Sequence, residues 1–355
     1  MKIKAQKQII ESVLIHLQPF LEKKDASQIT SHIFFKTQND ICIIKATDSE
    51  IGLEINTNKI FIEEEGSFTA NGKKLLDIIR ILRDEEITLE LNNNILIITQ
   101  NKSKFKLPTF DYNAYPSFPN NQNTPTISLD STILIQNLKK ISSAIDTNNP
   151  KYELNGAYIN IQEDSTDLVG TDTRRLAIAT IESQNTQAIS FIVPKKAILE
   201  IQKLFLNEIK IFVDETNLII TNSNYYFFTK LINGKFPDYK RIIPSSTKYQ
   251  ITLPKKEILS EIKMITTISQ DIKLTLSKDA ILFQSLSSDN IEAKTQLEIN
   301  TGLNEDFELA FNSRYLLDFL SQINSENFNL ELNESSLPFI VKDNNFITII
   351  MPIVA

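Results

Sequence analysis

Apolar residues along this chain fall into two rhythms, and the rhythms themselves recur. The run Lys73-Lys74-Leu75-Leu76-Asp77-Ile78-Ile79-Arg80-Ile81-Leu82 opens on a base, with an acid four positions on and a base seven on. Apolar side chains fill the positions two, three, five and nine on. Lys196-Ala197-Ile198-Leu199-Glu200-Ile201-Gln202-Lys203-Leu204-Phe205 repeats the scheme. Arg314-Tyr315-Leu316-Leu317-Asp318-Phe319-Leu320-Ser321-Gln322-Ile323 repeats it again, with serine for the last base. This spacing predicts a helix with one buried face and one wet stripe. A second helical series lies upstream: Lys7-Gln8-Ile9-Ile10-Glu11, Ser131-Thr132-Ile133-Leu134-Ile135 and Lys256-Glu257-Ile258-Leu259-Ser260. Its copies are 124 and 125 residues apart, against 123 and 118 in the other series. Two independent patterns therefore share one domain-sized period.

Two-residue alternation repeats as well. Lys45-Ala46-Thr47-Asp48 precedes Ile51-Gly52-Leu53-Glu54-Ile55, and 124 residues on Val169-Gly170-Thr171-Asp172 precedes Leu176-Ala177-Ile178-Ala179. Asn94-Ile95-Leu96-Ile97-Ile98-Thr99 returns as Asn217-Leu218-Ile219-Ile220-Thr221, and Tyr115-Pro116 as Phe236-Pro237. Each unit reads helix, strands, helix, strands. The strands are short and β-branched, which predicts an α+β class with antiparallel sheets rather than a βαβ winding. Domains are expected at 1–124, 125–245 and 246–355, with Asn120–Pro125 as a linker by composition. The third unit shows no Thr-Asp counterpart, so the match is weakest there.

Charge changes the picture. The chain of 355 residues carries a formal charge of −7, which on its face argues against nucleic acid. The six helical segments, expected at 4–17, 71–83, 130–144, 194–207, 254–265 and 312–323, together carry +8, leaving −15 for everything else. If the repeated helices line one surface, that surface attracts phosphate without reading bases. The candidate DNA-facing cations are Lys7, Lys73, Lys74, Arg80, Lys139, Lys196, Lys203, Lys256, Lys263 and Arg314, with Lys24 beside them. No aromatic residues interleave with them as base stacking would require, so duplex backbone contact is expected, without sequence specificity.

Catalytic chemistry finds little support. His16 and His32 are the only histidines, and neither belongs to a metal or nucleophile–base pattern. Thr47-Asp48 and Thr171-Asp172 read as turn devices, and Glu63-Glu64-Glu65 as a solvated loop. Cys42, the single cysteine, sits in the apolar run Ile41–Ile44 and reads as inert core. Only seven glycines are present, and no phosphate-binding loop occurs. No enzyme, cofactor or metal is expected. Lys2, Lys4 and Lys7 interrupt any leader-like start and no apolar run approaches bilayer length, so a cytoplasmic protein is expected. A tandem-domain scaffold that does not bind DNA is the remaining alternative.

Leu154-Asn155-Gly156, Thr171-Asp172-Thr173-Arg174-Arg175-Leu176-Ala177, Gly234-Lys235-Phe236-Pro237-Asp238-Tyr239-Lys240-Arg241, Phe311-Asn312 and Met351-Pro352-Ile353 together resemble one family, over the whole chain. It is the bacterial sliding clamp, the β subunit of the replicative DNA polymerase III holoenzyme. The resemblance implies three clamp domains per chain, each with two helices packed on antiparallel sheets, and a head-to-tail homodimeric ring. The ring would encircle duplex DNA, tether the replicative polymerase and other replication and repair proteins, and be opened by a separate loader.

The resemblance also places a groove for partner peptides. Its matched lining is Leu154, Thr171, Thr173, Arg175, Leu176, Pro237, Arg241 and Ile242, followed by Asn312, Tyr315, Ser336, Pro338, Ile349, Met351 and Pro352. Thr173-Arg174 stands where the family often has Gly-His, which implies a narrower groove or a shifted peptide preference. The implied dimer contact sets Phe105 and Leu107, on an edge strand, against Ile268 and Ile265 of the partner's third domain. Lys102 and Lys104 would then face acids such as Glu292 and Glu298.

Overall fold

Amphipathic helices alternate with meanders of short strands because the chain switches hydrophobic period at each turn signal. In a computed structural model, residues 1–121, 126–127, 130–184, 188–205, 208–286 and 291–353 are described, so 122–125 of the expected linker lies outside them. The first repeat runs β1 (Lys2–Gln6), α1 (Lys7–Leu17), β2 (His32–Gln38), β3 (Ile41–Thr47), β4 (Ile51–Thr57), β5 (Phe61–Glu64), β6 (Gly66–Asn71), α2 (Gly72–Ile81), β7 (Glu86–Asn92), β8 (Ile95–Gln100) and β9 (Ser103–Pro108). The second runs β10 (Thr126–Ile127), α3 (Ser131–Ser142), β11 (Gly156–Ile161), β12 (Ser165–Thr171), β13 (Arg175–Glu182), β14 (Ile189–Pro194), α4 (Lys195–Leu204), β15 (Lys210–Val213), β16 (Asn217–Thr221) and β17 (Tyr225–Lys230). The third runs β18 (Tyr249–Pro254), α5 (Lys255–Ile265), β19 (Asp271–Leu276), β20 (Ala280–Ser285), β21 (Lys294–Glu298), β22 (Phe307–Asn312), α6 (Ser313–Gln322), β23 (Asn327–Leu332), β24 (Phe339–Asp343) and β25 (Phe346–Ile350).

Each helix is shorter than the periodicity suggested, and a strand precedes it. Residues 4–6, expected in the first helix, belong to β1, where Lys4 pairs with Glu63. With the observed bounds the six helices carry +7, leaving −14, so the charge sorting persists. Their apolar faces are buried through residues such as Leu75, Leu76 and Ile79 in α2 and Leu316, Phe319 and Leu320 in α6.

Helix ends are tied by lysine. Helix C-termini leave carbonyls without intrahelical partners and carry partial negative charge. The Lys7 ammonium donates to the Arg80 carbonyl (3.1 Å) and Lys255 to that of Ile323 (2.6 Å), each reaching from the start of one helix to the end of its companion. In the second repeat Lys195, opening α4, does this for the Ile145 carbonyl beyond α3, and burial pulls its ammonium below the usual lysine range.

Contacts divide the chain into two compact units, 1–128 with 207–231 and 129–206 with 232–355. The first unit holds a five-stranded sheet, β5-β1-β7-β8-β9, and an eight-stranded one, β10-β15-β16-β17-β4-β3-β2-β6. The second holds β14-β11-β12-β13-β25-β24-β23-β18 and β21-β20-β19-β22. Both eight-stranded sheets join two repeats by one rule: the last strand of a repeat pairs with the third strand after the first helix of the preceding one. Tyr225 lies opposite Ile55 and Thr229 opposite Ile51, while Phe346 lies opposite Ala179 and Ile350 opposite Arg175. Sheets that cross repeat boundaries are why the compact units do not coincide with the repeats.

The Thr-Asp pairs shape matching hairpin turns. Thr47 Oγ1 donates to the Ile51 carbonyl and accepts from Ser49 N, and Asp48 accepts from Glu50 N and Ile51 N. Thr171 and Asp172 repeat each bond with Arg175, Thr173, Arg174 and Arg175. The third turn residue is left-handed in both, Ser49 at φ 76° and Thr173 at φ 75°.

Candidate functional site

A cavity of about 230 Å³ lies in the second unit, above the β13–β25 pair where Leu176 faces Ile349. Leu176 and Ile349 floor it with Leu154 from a short 3-10 turn, all within 3% of full burial. Phe236, Pro237, Tyr239, Ile242 and Met351 wall it, and Lys151, Thr171, Thr173 and Arg175 supply polar atoms. Ile242 and Met351 are 45% and 39% exposed, so apolar surface remains for a ligand to cover. Phe236 stacks on Tyr158 at 4.8 Å, and the Tyr239 hydroxyl donates to Asp167 (2.6 Å). Burial pushes the Tyr239 phenol well above its usual range, which keeps it a donor. Met351 N donates to the Arg174 carbonyl (2.9 Å), locking the end of β25 to the turn.

Arg175 is the strut behind this wall. Its side chain is 5% exposed, with Nε on Asp172 (3.0 Å), Nη1 on Asp318 of α6 (2.7 Å) and Nη2 on the Ser143 carbonyl past α3. The guanidinium also lies over the Tyr315 ring at 4.7 Å. A buried cation with two carboxylates and a carbonyl is satisfied internally. Arg175 therefore shapes the cavity rather than offering a free charge to it.

A small apolar cavity with adaptable methionine and a few fixed polar groups suits short hydrophobic anchors. Comparison with known proteins identifies the architecture. Models of the DNA polymerase III beta subunit match along the whole chain: the N-terminal domain over 1–119, the central domain over 128–238 and the C-terminal domain over 240–354. The chain belongs to this family. The Helicobacter pylori (strain J99) beta sliding clamp is 40% identical over 352 residues, covering 97% of this chain and 94% of that protein. The Chlamydia muridarum beta sliding clamp is 26% identical over 363 residues, covering 99% and 98%. Among solved structures, the Helicobacter pylori beta clamp bound to a DNA ligase peptide matches at a TM-score of 0.94 and 40% identity, covering 100% of both chains. The family is a non-catalytic processivity factor of DNA polymerase III.

Of the residues expected to line a clamp groove, Leu154, Thr171, Thr173, Arg175, Leu176, Pro237, Ile242, Ile349 and Met351 meet in the cavity. Lys151, Phe236 and Tyr239 complete it and were missed, although Phe236 and Tyr239 lie in the quoted Gly234–Arg241 run. Asn312 instead caps α6, accepting from Arg314 N and donating to Asp271, and Tyr315 stacks under Arg175. Arg241 pairs with Asp238 on the surface. Ser336 is exposed, and Pro338 and Pro352 are half-buried outside the cavity lining.

The candidate DNA-facing cations need two corrections. Lys7 is consumed by Arg80 O and Glu11, and Lys24 lies on a loop rather than a helix. Lys73, Lys74, Arg80, Lys139, Lys196, Lys203, Lys256, Lys263 and Arg314 are exposed helical side chains, with Lys203 paired to Glu200, Arg80 to Glu11 and Arg314 to Asp318. At the implied dimer contact, β9 is a sheet edge and carries a half-buried Phe105. Leu107 and Ile265 are buried in their own chain at 6% and 1% exposure, so neither offers appreciable surface to a partner. Ile268 is exposed. Cys42 is fully buried and its thiol is pushed up to about 12, the inert behaviour expected of it.

Proposed function

We propose that the chain acts as a DNA sliding clamp in the cytoplasm, built from modules 1–124, 125–245 and 246–355. Two copies close head to tail, exposed helical bases face duplex DNA, and acidity remains outside. A heterologous contact of this kind either closes into a ring or runs on as a filament. Phosphate contacts of single lysines are weak and exchange with counterions, so they hold the duplex without braking its travel. The cavity takes hydrophobic anchors of polymerase, loader and repair proteins, as the ligase peptide on the Helicobacter pylori clamp suggests. The observation that carries this reading is the sorting of +7 onto six helices in a chain of −7.

The test is retention on plasmid after loading. A ring stays on circular DNA in high salt and leaves once the plasmid is linearised. A phosphate binder without topology is lost from both forms as salt rises, which is the result against the proposal.

A further inference from the structure

The two joints between repeats are built alike, yet they place one aromatic ring differently. Counted from the threonine of each matched turn, Gly52 corresponds to Leu176, and their partners across the joint are Phe228 and Ile349. Lys230 N donates to the Glu50 carbonyl (2.8 Å) just as Met351 N donates to that of Arg174. Tyr115-Pro116-Ser117-Phe118 corresponds to Phe236-Pro237-Asp238-Tyr239, and each run opens on a ring stacked against the strand after the first helix, at Phe34 or Tyr158.

Phe118 lies over its joint. Its ring packs edge-on against Phe228 (4.8 Å), and a Cβ on Gly52 would stand 3.0 Å from Phe118 Cζ. Tyr226, on the joint strand β17, donates to the Pro119 carbonyl and ties the segment down. Tyr239 lies to one side instead, over β11 and β12. Its ring meets Tyr158 (6.0 Å), while its hydroxyl donates to Asp167 (2.6 Å) and accepts from Asn160 (3.4 Å). The place that Phe118 fills over Gly52 and Phe228 is, over Leu176 and Ile349, the cavity. We propose that the Tyr239–Asp167 hydrogen bond holds the cavity open, which makes Tyr239 a positioning residue for peptide binding. This role rests on the cavity's being the partner site and adds what controls entry to it.

The difference follows from one polar row. Asn160, Asp167 and Thr180 face one another across β11, β12 and β13, and Thr180 Oγ1 donates to the second carboxylate oxygen of Asp167 (2.7 Å). The corresponding row in the first repeat is Lys36, Ile43 and Asn56, which has no carboxylate, and Phe118 has no hydroxyl to seek one. The cavity holds about 230 Å³, and about 150 Å³ suffices for benzene in a protein interior. It therefore has room for a phenyl ring. For Tyr239 that move is costly, because the hydroxyl would leave Asp167 for the apolar Leu154, Leu176 and Ile349, where a buried donor goes unpaired. A phenylalanine there carries no such cost.

Tyr239→Phe removes one oxygen atom and should let the ring occupy the cavity in about nine chains of ten, raising Kd for a peptide with a Leu–Phe anchor roughly tenfold. Closure withdraws binding-competent chains, so the loss should fall on the association rate, with dissociation unchanged within about twofold. Asp167→Asn keeps an acceptor for the phenol and a donor for Thr180 Oγ1, and should bind within about twofold of the parent. Surface plasmon resonance on the full chain reads both rates, and melting curves verify that each variant is folded at the assay temperature. Unchanged association in Tyr239→Phe overturns the role, as does a loss carried by faster dissociation, which marks a general loosening of the wall. Equal losses in Tyr239→Phe and Asp167→Asn overturn the hydrogen bond as the cause. A parent that does not bind the peptide overturns the partner-site reading itself.

Discussion

Met351→Ala is the sharpest test of the cavity. Fully burying a methionine side chain contributes about 1.5–3 kcal/mol. Met351 is already mostly covered, and the 39% left exposed is what a bound peptide can still remove from water. That fraction corresponds to about 0.6–1.2 kcal/mol of binding, or roughly three- to eightfold in Kd. Titration calorimetry with a peptide bearing a Leu–Phe anchor measures it, and a sizing column with mass detection checks the dimer. Ile349→Ala is the contrasting variant: at 1% exposure its truncation opens the core and should cost about 2–4 kcal/mol of stability. An unchanged Kd for Met351→Ala, or loss of the dimer in that variant, would refute the assignment of the cavity to partner peptides.

Other expectations concern the supporting structure. Arg175→Met leaves Asp172 and Asp318 facing each other; because both carboxylates keep some water, the loss should be about 3 kcal/mol, read as a lower urea midpoint of the second unit. Thr173→Gly relieves a β-branched residue held at φ 75° and should stabilise by about 0.5–1 kcal/mol, whereas Thr173→Val should not. Burial lowers the His32 pKa to about 4, so its contribution is intact above about pH 6.5. That contribution is lost as pH falls toward 4, by about 2 kcal/mol, and His32→Gln should flatten that part of the acid-denaturation curve relative to the parent.

The repeat was legible because helix period and strand period each recur at domain spacing, as in Lys73–Leu82, Lys196–Phe205 and Arg314–Ile323. The strand before each first helix was not, since Lys4-Ala5-Gln6 continues smoothly into the helical pattern of α1. Nine cavity residues were placed by family resemblance, while their roles needed coordinates. Nothing in the spelling of Arg175 says that Asp318, 143 residues away, neutralises it. Leu107 and Ile265 were expected at an interface from the resemblance, but only packing reveals that their own chain covers them. Likewise Lys7 matches other helical bases in pattern and differs in finding the Arg80 carbonyl within 3.1 Å.

As proposed above, two chains close a ring with an open, cationic centre. Single-particle imaging of the purified protein, with its mass in solution, tests this most directly. The expected result is a two-chain annulus whose hole admits a duplex. A solid particle, or a single chain, would contradict it.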